Sequence, residues 1–290
     1  MFGILLIKKE LGTTSHDVVN QVRRKFNTRR VGHAGTLDPL ATGLLVVAVG
    51  PATRFLQYLP LEPKEYIADI EFGAATTTYD REGERILSGP VPEDLAGAID
   101  LALVNFRGLI TQLPPIYSAV KVNGQAMYKY ARAGKEVPRE PRTVHIAEYE
   151  ILSVNGNVAR ARIVCSGGTY IRTLAHDLGE ALGCGAHLAG LERTRVGRYT
   201  LEEGLLLSDA TPEDLISLRD ALPPMPLLDL TEEQVEAVRF GRQLGLAQPP
   251  GNYLVGLCDP NGNVISVARV IGNMLQPECV IPAEVAHVLS

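Results

Sequence analysis

The sequence predicts an α+β fold, with a large unit over residues 1–229 and a small β-rich unit over residues 230–290. Three stretches carry that expectation. Glu65 to Gly73 alternates, with Tyr66, Ala68, Ile70 and Phe72 on one side and Glu65, Ile67, Asp69 and Glu71 on the other. "ARARIVCSGGTYIRTLAHDLGEALGCG" reads as strand, glycine turn and helix. Thr231-Glu232-Glu233-Gln234 is a capping-box pattern that opens a helix ahead of two short strands.

The remaining elements follow in chain order. At the N-terminus the lysines Lys8 and Lys9 come after the apolar run, which is the wrong order for a signal peptide and right for a first strand. Ser15 is the expected cap of a helix in which Val18, Val19, Val22 and Phe26 share one face. Leu44 to Val49 is a buried strand. Pro92-Glu93-Asp94 opens a helix that turns Leu95, Ile99, Leu103 and Phe106 inward. Thr169 is the expected cap of the helix with Ile171, Leu174, Leu178 and Leu182 on its apolar face, and Gly183 stops it. The join near 230 is acidic and marked by Pro212, Pro223, Pro224 and Pro226. Beyond the second unit's helix, Tyr253–Cys258 and Val264–Val270 flank the turn Asp259-Pro260-Asn261-Gly262. With a helix and hairpin of its own, this tail is expected to fold apart from the rest.

With 46% hydrophobic and 21% charged residues, the 290-residue chain has a soluble globular composition. No apolar run reaches the length of a membrane span, so a cytoplasmic location is expected. Cys165, Cys184, Cys258 and Cys279 form no CxxC pair and fit reduced, buried thiols. The metal-like cluster Cys184-Gly185-Ala186-His187, with His176 upstream, lacks further ligands at regular spacing, and no metal is expected.

The net charge of -5 argues against a polyanionic partner, but its distribution does not. Residues 202–236 hold ten acids against Arg219 alone, a local -9 that leaves +4 for the rest. Arg23, Arg24, Lys25, Arg29 and Arg30 cluster without an acid, and 121–142 adds Lys121, Lys129, Arg132, Lys135, Arg139 and Arg142 against two. Basic clusters with interleaved aromatics suit a phosphate backbone.

The chemistry centres on "VGHAGTLDPLATGLLVVAVG", Val31 to Gly50. Pro39 pushes Asp38 away from helical backbone, and Gly32, Gly35 and Gly43 permit tight turns, so the carboxylate is held in one direction. No Lys-Ser or Lys-Thr follows these glycines, which excludes a P-loop. A magnesium-dependent phosphotransferase would need a second acid nearby, and the next after Asp38 is Glu62. Gly32-His33-Ala34-Gly35 also matches the GXXG of a KH module, which leaves a non-catalytic RNA-binding protein as an alternative. Arg172 falls in the first turn of its helix, where a cation opposes the helix dipole. A residue that breaks a local rule is often placed for a site.

Gly32-His33-Ala34-Gly35-Thr36-Leu37-Asp38-Pro39-Leu40-Ala41-Thr42-Gly43 resembles the signature of the TruB-type tRNA pseudouridine synthases. The likeness continues through Lys64-Glu65-Tyr66, Thr76 to Gly83, "PPIYSAVKVNGQAMYKYARAGKEVPREPR" and "CSGGTYIRTLAHDLGEALGCGAHLAGLERTRVGRY", spanning roughly residues 3 to 205. The resemblance implies a mixed, largely antiparallel sheet. It also implies isomerisation of uridine-55 in the T loop of tRNA to pseudouridine, without metal or organic cofactor and with no obligate protein partner. Asp38 matches the essential carboxylate and Arg172 the residue that pairs with it. Tyr66 matches the residue that stacks on the uracil, Leu191 one lining the base pocket, and His33 one supporting the flipped-out loop. Gly35, Lys64 and Tyr170 lie in matching substrate-binding motifs, and Lys129, Arg132 and Arg142 would hold phosphates. Gly167 stands where some relatives have lysine, and Thr77 where some have aspartate. The tail resembles a PUA-like RNA-binding domain through its hairpin pattern and position.

Overall fold

The computed structural model describes residues 1–117, 121–122, 125–126, 130, 139–245 and 251–282. Among them the large unit is one mixed sheet whose order is β1 (Gly3–Lys9), β3 (Ala41–Val49), β12 (Ala186–Val196), β4 (Lys64–Phe72), β11 (Val158–Cys165), β10 (Arg142–Asn155) and β7 (Gly108–Gln112). β2 (Val31–Ala34) pairs with β3, and β13 (Tyr199–Thr200) with β12. Only the β3–β12 pairing among these is parallel, so the largely antiparallel sheet expected from the resemblance is what forms. Small two-stranded ladders are made by β5 (Ala74–Thr76) with β6 (Arg85–Ser88), and by β8 (Lys121–Val122) with β9 (Gln125–Ala126).

Alternation predicted β4 correctly: Tyr66, Ala68, Ile70 and Phe72 are buried. They face α2 (Leu95–Leu103) and α3 (Ile171–Ala181), whose Leu95, Ile99, Leu103, Leu174 and Leu178 complete one core. Each such side chain contributes about 1.5–3 kcal/mol on leaving water. Phe106 packs against the same core from the turn after α2. α1 (Ser15–Lys25) lays Val18, Val19 and Val22, with Phe26 just beyond, on β1 and β3.

Two helix caps differ from the sequence expectation. Thr14, not Ser15, caps α1: its Oγ1 accepts from Asp17 N at 3.0 Å, and the Asp17 carboxylate accepts from Thr14 N at 3.0 Å. Ser15 is engaged elsewhere. Its hydroxyl accepts from Leu37 N at 2.8 Å and donates to Leu37 O at 3.1 Å, tying the helix to the loop that carries Asp38. Thr169 does not cap α3 either, because its hydroxyl donates to Ser166 O at 2.9 Å. Tyr170 is the cap residue and makes no side-chain cap bond. The fully buried Gln112 holds it instead, accepting from Tyr170 N at 3.0 Å and donating to Tyr170 O at 3.2 Å.

The small unit is a five-stranded sheet ordered β14 (Leu227–Asp229), β16 (Gly251–Cys258), β17 (Val264–Gly272), β18 (Met274–Val280) and β15 (Leu244–Gly245), so its first strand lies just ahead of the expected boundary at 230. Beyond the short α4 (Leu218–Ala221), α5 (Glu232–Arg239) starts with the expected Thr231–Gln234 capping box. The tail does not stand apart, however. Cys258, Val264, Val267, Cys279 and Ile281 share one core with Ile4, Leu44, Phe55, Val196 and Leu222 of the large unit. Apolar surface on both sides of the join is buried by the other, so a cut at 230 would bare it.

Candidate active site

One edge of β3 has two partners. β2 runs beside Val46–Val49, while β12 runs beside Ala41–Gly43. Residues 35–40, the loop with the central acid, leave the sheet where one partner gives way to the other. Gly43 has φ +106°, and a Cβ there would strike the Arg193 backbone, so glycine is what lets β3 and β12 approach. Buried Leu37 and Leu40 pin the loop on either side of Asp38. Gly12 N donates to Pro39 O at 2.9 Å and Ala41 N to Asp38 O at 3.0 Å. The acid is therefore held by packing and backbone bonds as well as by the proline.

The Asp38 carboxylate forms an ion pair with Arg172, Oδ2 to Nε at 2.9 Å, and its side chain stays 37% exposed toward a cavity of about 350 Å³. Arg172 is buried. Its Nη1 donates to Thr78 O at 3.1 Å and to Asp80 Oδ2 at 3.4 Å, and its Nη2 donates to Tyr117 O at 2.9 Å. Asp80 is itself buried, its Oδ1 accepting from the Thr78 hydroxyl at 2.6 Å and from Glu82 N at 3.0 Å. The guanidinium thus lies between two carboxylates. Burial pushes the Asp38 carboxyl above its ordinary range; Arg172 opposes that shift, and Asp80 adds to it.

Gly35, Asp38, Lys64, Tyr66, Tyr170, Arg172 and Leu191 all line this one cavity. A larger hollow of about 570 Å³ beside Lys8–Leu11 and Glu192 is more open to solvent and is lined by none of them. Tyr66 sits opposite Ile163 and Arg193 in the sheet, and burial raises its phenol, so the ring is neutral at pH 7. Leu191 lies between Ala41 and Ala68. Tyr170 stands at the rim with the Arg142 guanidinium 5.4 Å from its ring centroid. Burial, and next to it Arg193, lowers the Lys64 ammonium. At Gly167 a side chain would meet the Glu62 carboxylate and come within 3.7 Å of Lys64 Nζ, so these two residues take up the space beside that position.

His33 and the basic cluster Arg23–Arg30 lie outside the cavity lining. His33 is in β2, half-buried and outside the cavity lining; burial and then Arg193 lower its pKa. Arg23 and Lys25 donate to Val31 O and Leu207 O, while Arg24, Arg29 and Arg30 remain exposed. Lys129 and Arg132 fall outside the described residues.

Four residues were not singled out from sequence. Asp80 lies within the quoted Thr76–Gly83 motif, but its contact with Arg172 spans 92 positions. Gln112 reads as an ordinary polar strand end. Arg193 is fully buried, donating from Nε to Leu44 O at 2.8 Å and from Nη2 to Gly35 O at 3.1 Å. Lys9 is buried and donates to Thr13 O at 2.6 Å; burial pushes it down to about 8, with Asp38 pulling the other way. A lysine after an apolar run was legible as a strand end, not as a neighbour of Asp38.

Among the described residues no group of three His, Cys, Asp or Glu side chains converges to hold a metal, and His187 Nδ1 lies 2.8 Å from Ala74 O. No helix among them is long and apolar enough to cross a membrane. The KH-like alternative is not supported, since Gly32-His33-Ala34 belong to a sheet strand instead of an open loop.

Residues 23–171 match the TruB family pseudouridylate synthase N-terminal domain, and residues 172–225 the tRNA pseudouridylate synthase B C-terminal domain. The tRNA pseudouridine synthase B of Mycobacterium tuberculosis (strain ATCC 25618 / H37Rv) is 42% identical over 299 residues, covering 98% of this chain and 97% of that protein. The protein of the same name from Solibacter usitatus is 39% identical over 294 residues, covering 97% and 100%. A chain from the crystal structure of a Cbf5-Nop10-Gar1 complex superposes with a TM-score of 0.67 at 28% identity, covering 98% of this chain and 86% of that one. With Asp38 and Arg172 paired in its central cavity and relatives matched along nearly its whole length, this chain belongs to the TruB family of pseudouridylate synthases.

Proposed function

We propose that this chain isomerises uridine-55 in the T loop of tRNA to pseudouridine. The observation that carries the reading is the Asp38–Arg172 pair, at 2.9 Å, in the wall of a cavity that also takes in Tyr66 and Leu191. The reaction breaks the N1–C1′ bond, turns the uracil and joins C5 to C1′; C5 gives up its proton to solvent and N1 takes one up, so the composition is unchanged while the C5 hydrogen is released. A fixed carboxylate at the sugar stabilises positive charge developing at C1′, as a glycosidase carboxylate does. Because the uracil is kept and reused, one acid serves both halves. Arg172 favours the ionised form of that acid, opposing the larger effect of burial, and sets its direction, with Asp80 holding the far side of the guanidinium.

The target base must first leave its stack. Tyr66 then stacks on the uracil and stands near its C5 proton, and Leu191 closes the apolar wall. Lys64, Gly35 and Tyr170 contact the nucleotide, His33 supports the opened loop from outside the cavity, and Arg142, Lys129 and Arg132 hold phosphates. Phosphate contacts position the RNA, while loop shape and flipping select the base. Residues 1–229 form the catalytic unit, and residues 230–290, a PUA-like unit, grip the rest of the RNA. A tRNA substrate fits a cytoplasmic enzyme. The test is tritium release from C5-labelled uridine in a tRNA transcript in excess chelator. Release stoichiometric with pseudouridine supports the reading. Binding without release would return the chain to a non-catalytic role.

A further inference from the structure

Tyr79 occupies a position that disfavours it. Its φ is +64°, in the left-handed region where a bulky side chain is strained and glycine or asparagine fits more easily. Its ring lies flat on His176, with centroids 3.8 Å apart and planes 8° apart. The His176 Nδ1 is buried without a hydrogen-bond partner, so no bond at that atom orients the imidazole. Both rings are half-buried, outside the cavity lining.

Their placement relates them to the catalytic arginine. His176 is four residues after Arg172 in α3, and thus one turn along the same helix face. Tyr79 separates the two groups that receive Arg172 Nη1, the Thr78 carbonyl at 3.1 Å and the Asp80 carboxylate at 3.4 Å. The left-handed backbone at Tyr79 turns these two acceptors toward one guanidinium. The turn is anchored to the sheet through Leu188 N, which donates to Tyr79 O at 3.0 Å, but that bond does not reach α3. The stack does. An aromatic at a strained position is accounted for by the contact its ring makes across to the helix.

Resting on the reading of Arg172 as partner of the catalytic acid, we propose that Tyr79 and His176 are positioning residues. Their stack locks the Thr78–Asp80 turn against α3 and so fixes the direction in which Arg172 presents its Nε to Asp38. Neither ring touches substrate. Without the stack the turn and helix slide past one another, and the Asp38–Arg172 geometry loosens while the RNA surface is unchanged.

The test uses the full-length enzyme and tRNA. Tyr79→Asn suits the left-handed backbone but has no ring; it should lower kcat about tenfold, with KM for tRNA and the melting temperature close to wild type. Tyr79→Phe and His176→Phe keep two stacked rings and should keep wild-type kcat. His176→Ala, a change on a half-buried helix face, should match Tyr79→Asn, and the double variant should fall no further than either, because both remove one unit. Wild-type kcat in Tyr79→Asn or His176→Ala, a loss confined to KM, losses that multiply, or failure of Tyr79→Phe would each overturn the proposal. The Arg172 Nε–H signal in NMR, assigned with Arg172→Lys, should shift or broaden in Tyr79→Asn, and an unchanged signal also overturns it. Wild-type tritium release and this signal are scored separately, so failure of the reaction assignment and failure of the stack are told apart.

Discussion

Arg172 and Arg193 are two buried arginines in the wall of one cavity, and they differ in what surrounds them. Arg172 has a carboxylate on each side, Asp38 and Asp80, and two carbonyls besides. Arg193 donates to the carbonyls of Leu44 and Gly35, and among the described residues no carboxylate pairs with it. The first guanidinium has its charge balanced by carboxylates on both sides, as the proposed role of aiming Asp38 requires. The second keeps its charge for its surroundings, and burial with Arg193 lowers both Lys64 and His33. The same side chain meets carboxylates in one place and only carbonyls in the other, and its partners decide how its charge is felt.

The largest effect should come from the acid itself. Asp38→Asn keeps shape without charge and should lower turnover more than about a thousandfold, about 4 kcal/mol in the barrier. Its tRNA affinity should stay within about tenfold, about 1.4 kcal/mol. Single-turnover tritium release and filter binding measure both, and substantial turnover would remove Asp38 from its role.

The two arginines separate next. Arg172→Lys loses the planar fork that spans two carboxylates, and kcat should fall about a hundredfold. Arg193→Lys retains the charge and should keep kcat within about tenfold. Equal losses at the two positions would mean that the carboxylate partners do not set Arg172 apart from Arg193.

Salt dependence probes the cationic side. Neutralising Lys129, Arg132 and Arg142 together should reduce the slope of log affinity against log salt by about 2, since each lost phosphate contact releases fewer counterions. An unchanged slope would place the RNA on another face.

Stability against pH tests the acid side more gently. The folded pKa of Asp38 is raised, so the folded chain holds this proton to higher pH than the unfolded chain. The associated stability is greatest in acid and is lost as pH rises through the raised value. Asp38→Asn should therefore melt no lower than wild type at pH 7, with the difference closing in acid; a clearly lower melting temperature at pH 7 contradicts the shift. The smallest effect is expected at His33. Arg193→Met removes a nearby positive charge, so the His33 pKa should climb back toward its ordinary value in an NMR titration.

Local patterns carried much of the fold. The period-2 alternation of β4, the apolar faces of α1, α2 and α3, and the Thr231 capping box were legible because each depends on residues within a few positions. The caps failed where a distant group competed. Ser15 is drawn to Leu37, 22 positions away, and Gln112 holds Tyr170 from 58 positions away. The tail misled for the same reason: its own helix and hairpin are local, but the surface it shares with β1 and β3 is not.

The site divides along the same line. Asp38, Tyr66, Arg172, Gly35, Lys64, Tyr170 and Leu191 were identifiable from motif residues, and their convergence on one cavity needed the sheet order that sets β12 between β3 and β4. By itself the sequence determined which side chains could do chemistry and which short segments would be strands or helices, because residue type and periodicity are local properties. Only the tertiary structure decided that Asp80 backs Arg172, that Arg193 lies buried without a carboxylate partner among the described residues, and that Tyr79 rests on His176. Those contacts join residues up to 158 positions apart, and burial and charge act through space, where sequence separation has no meaning.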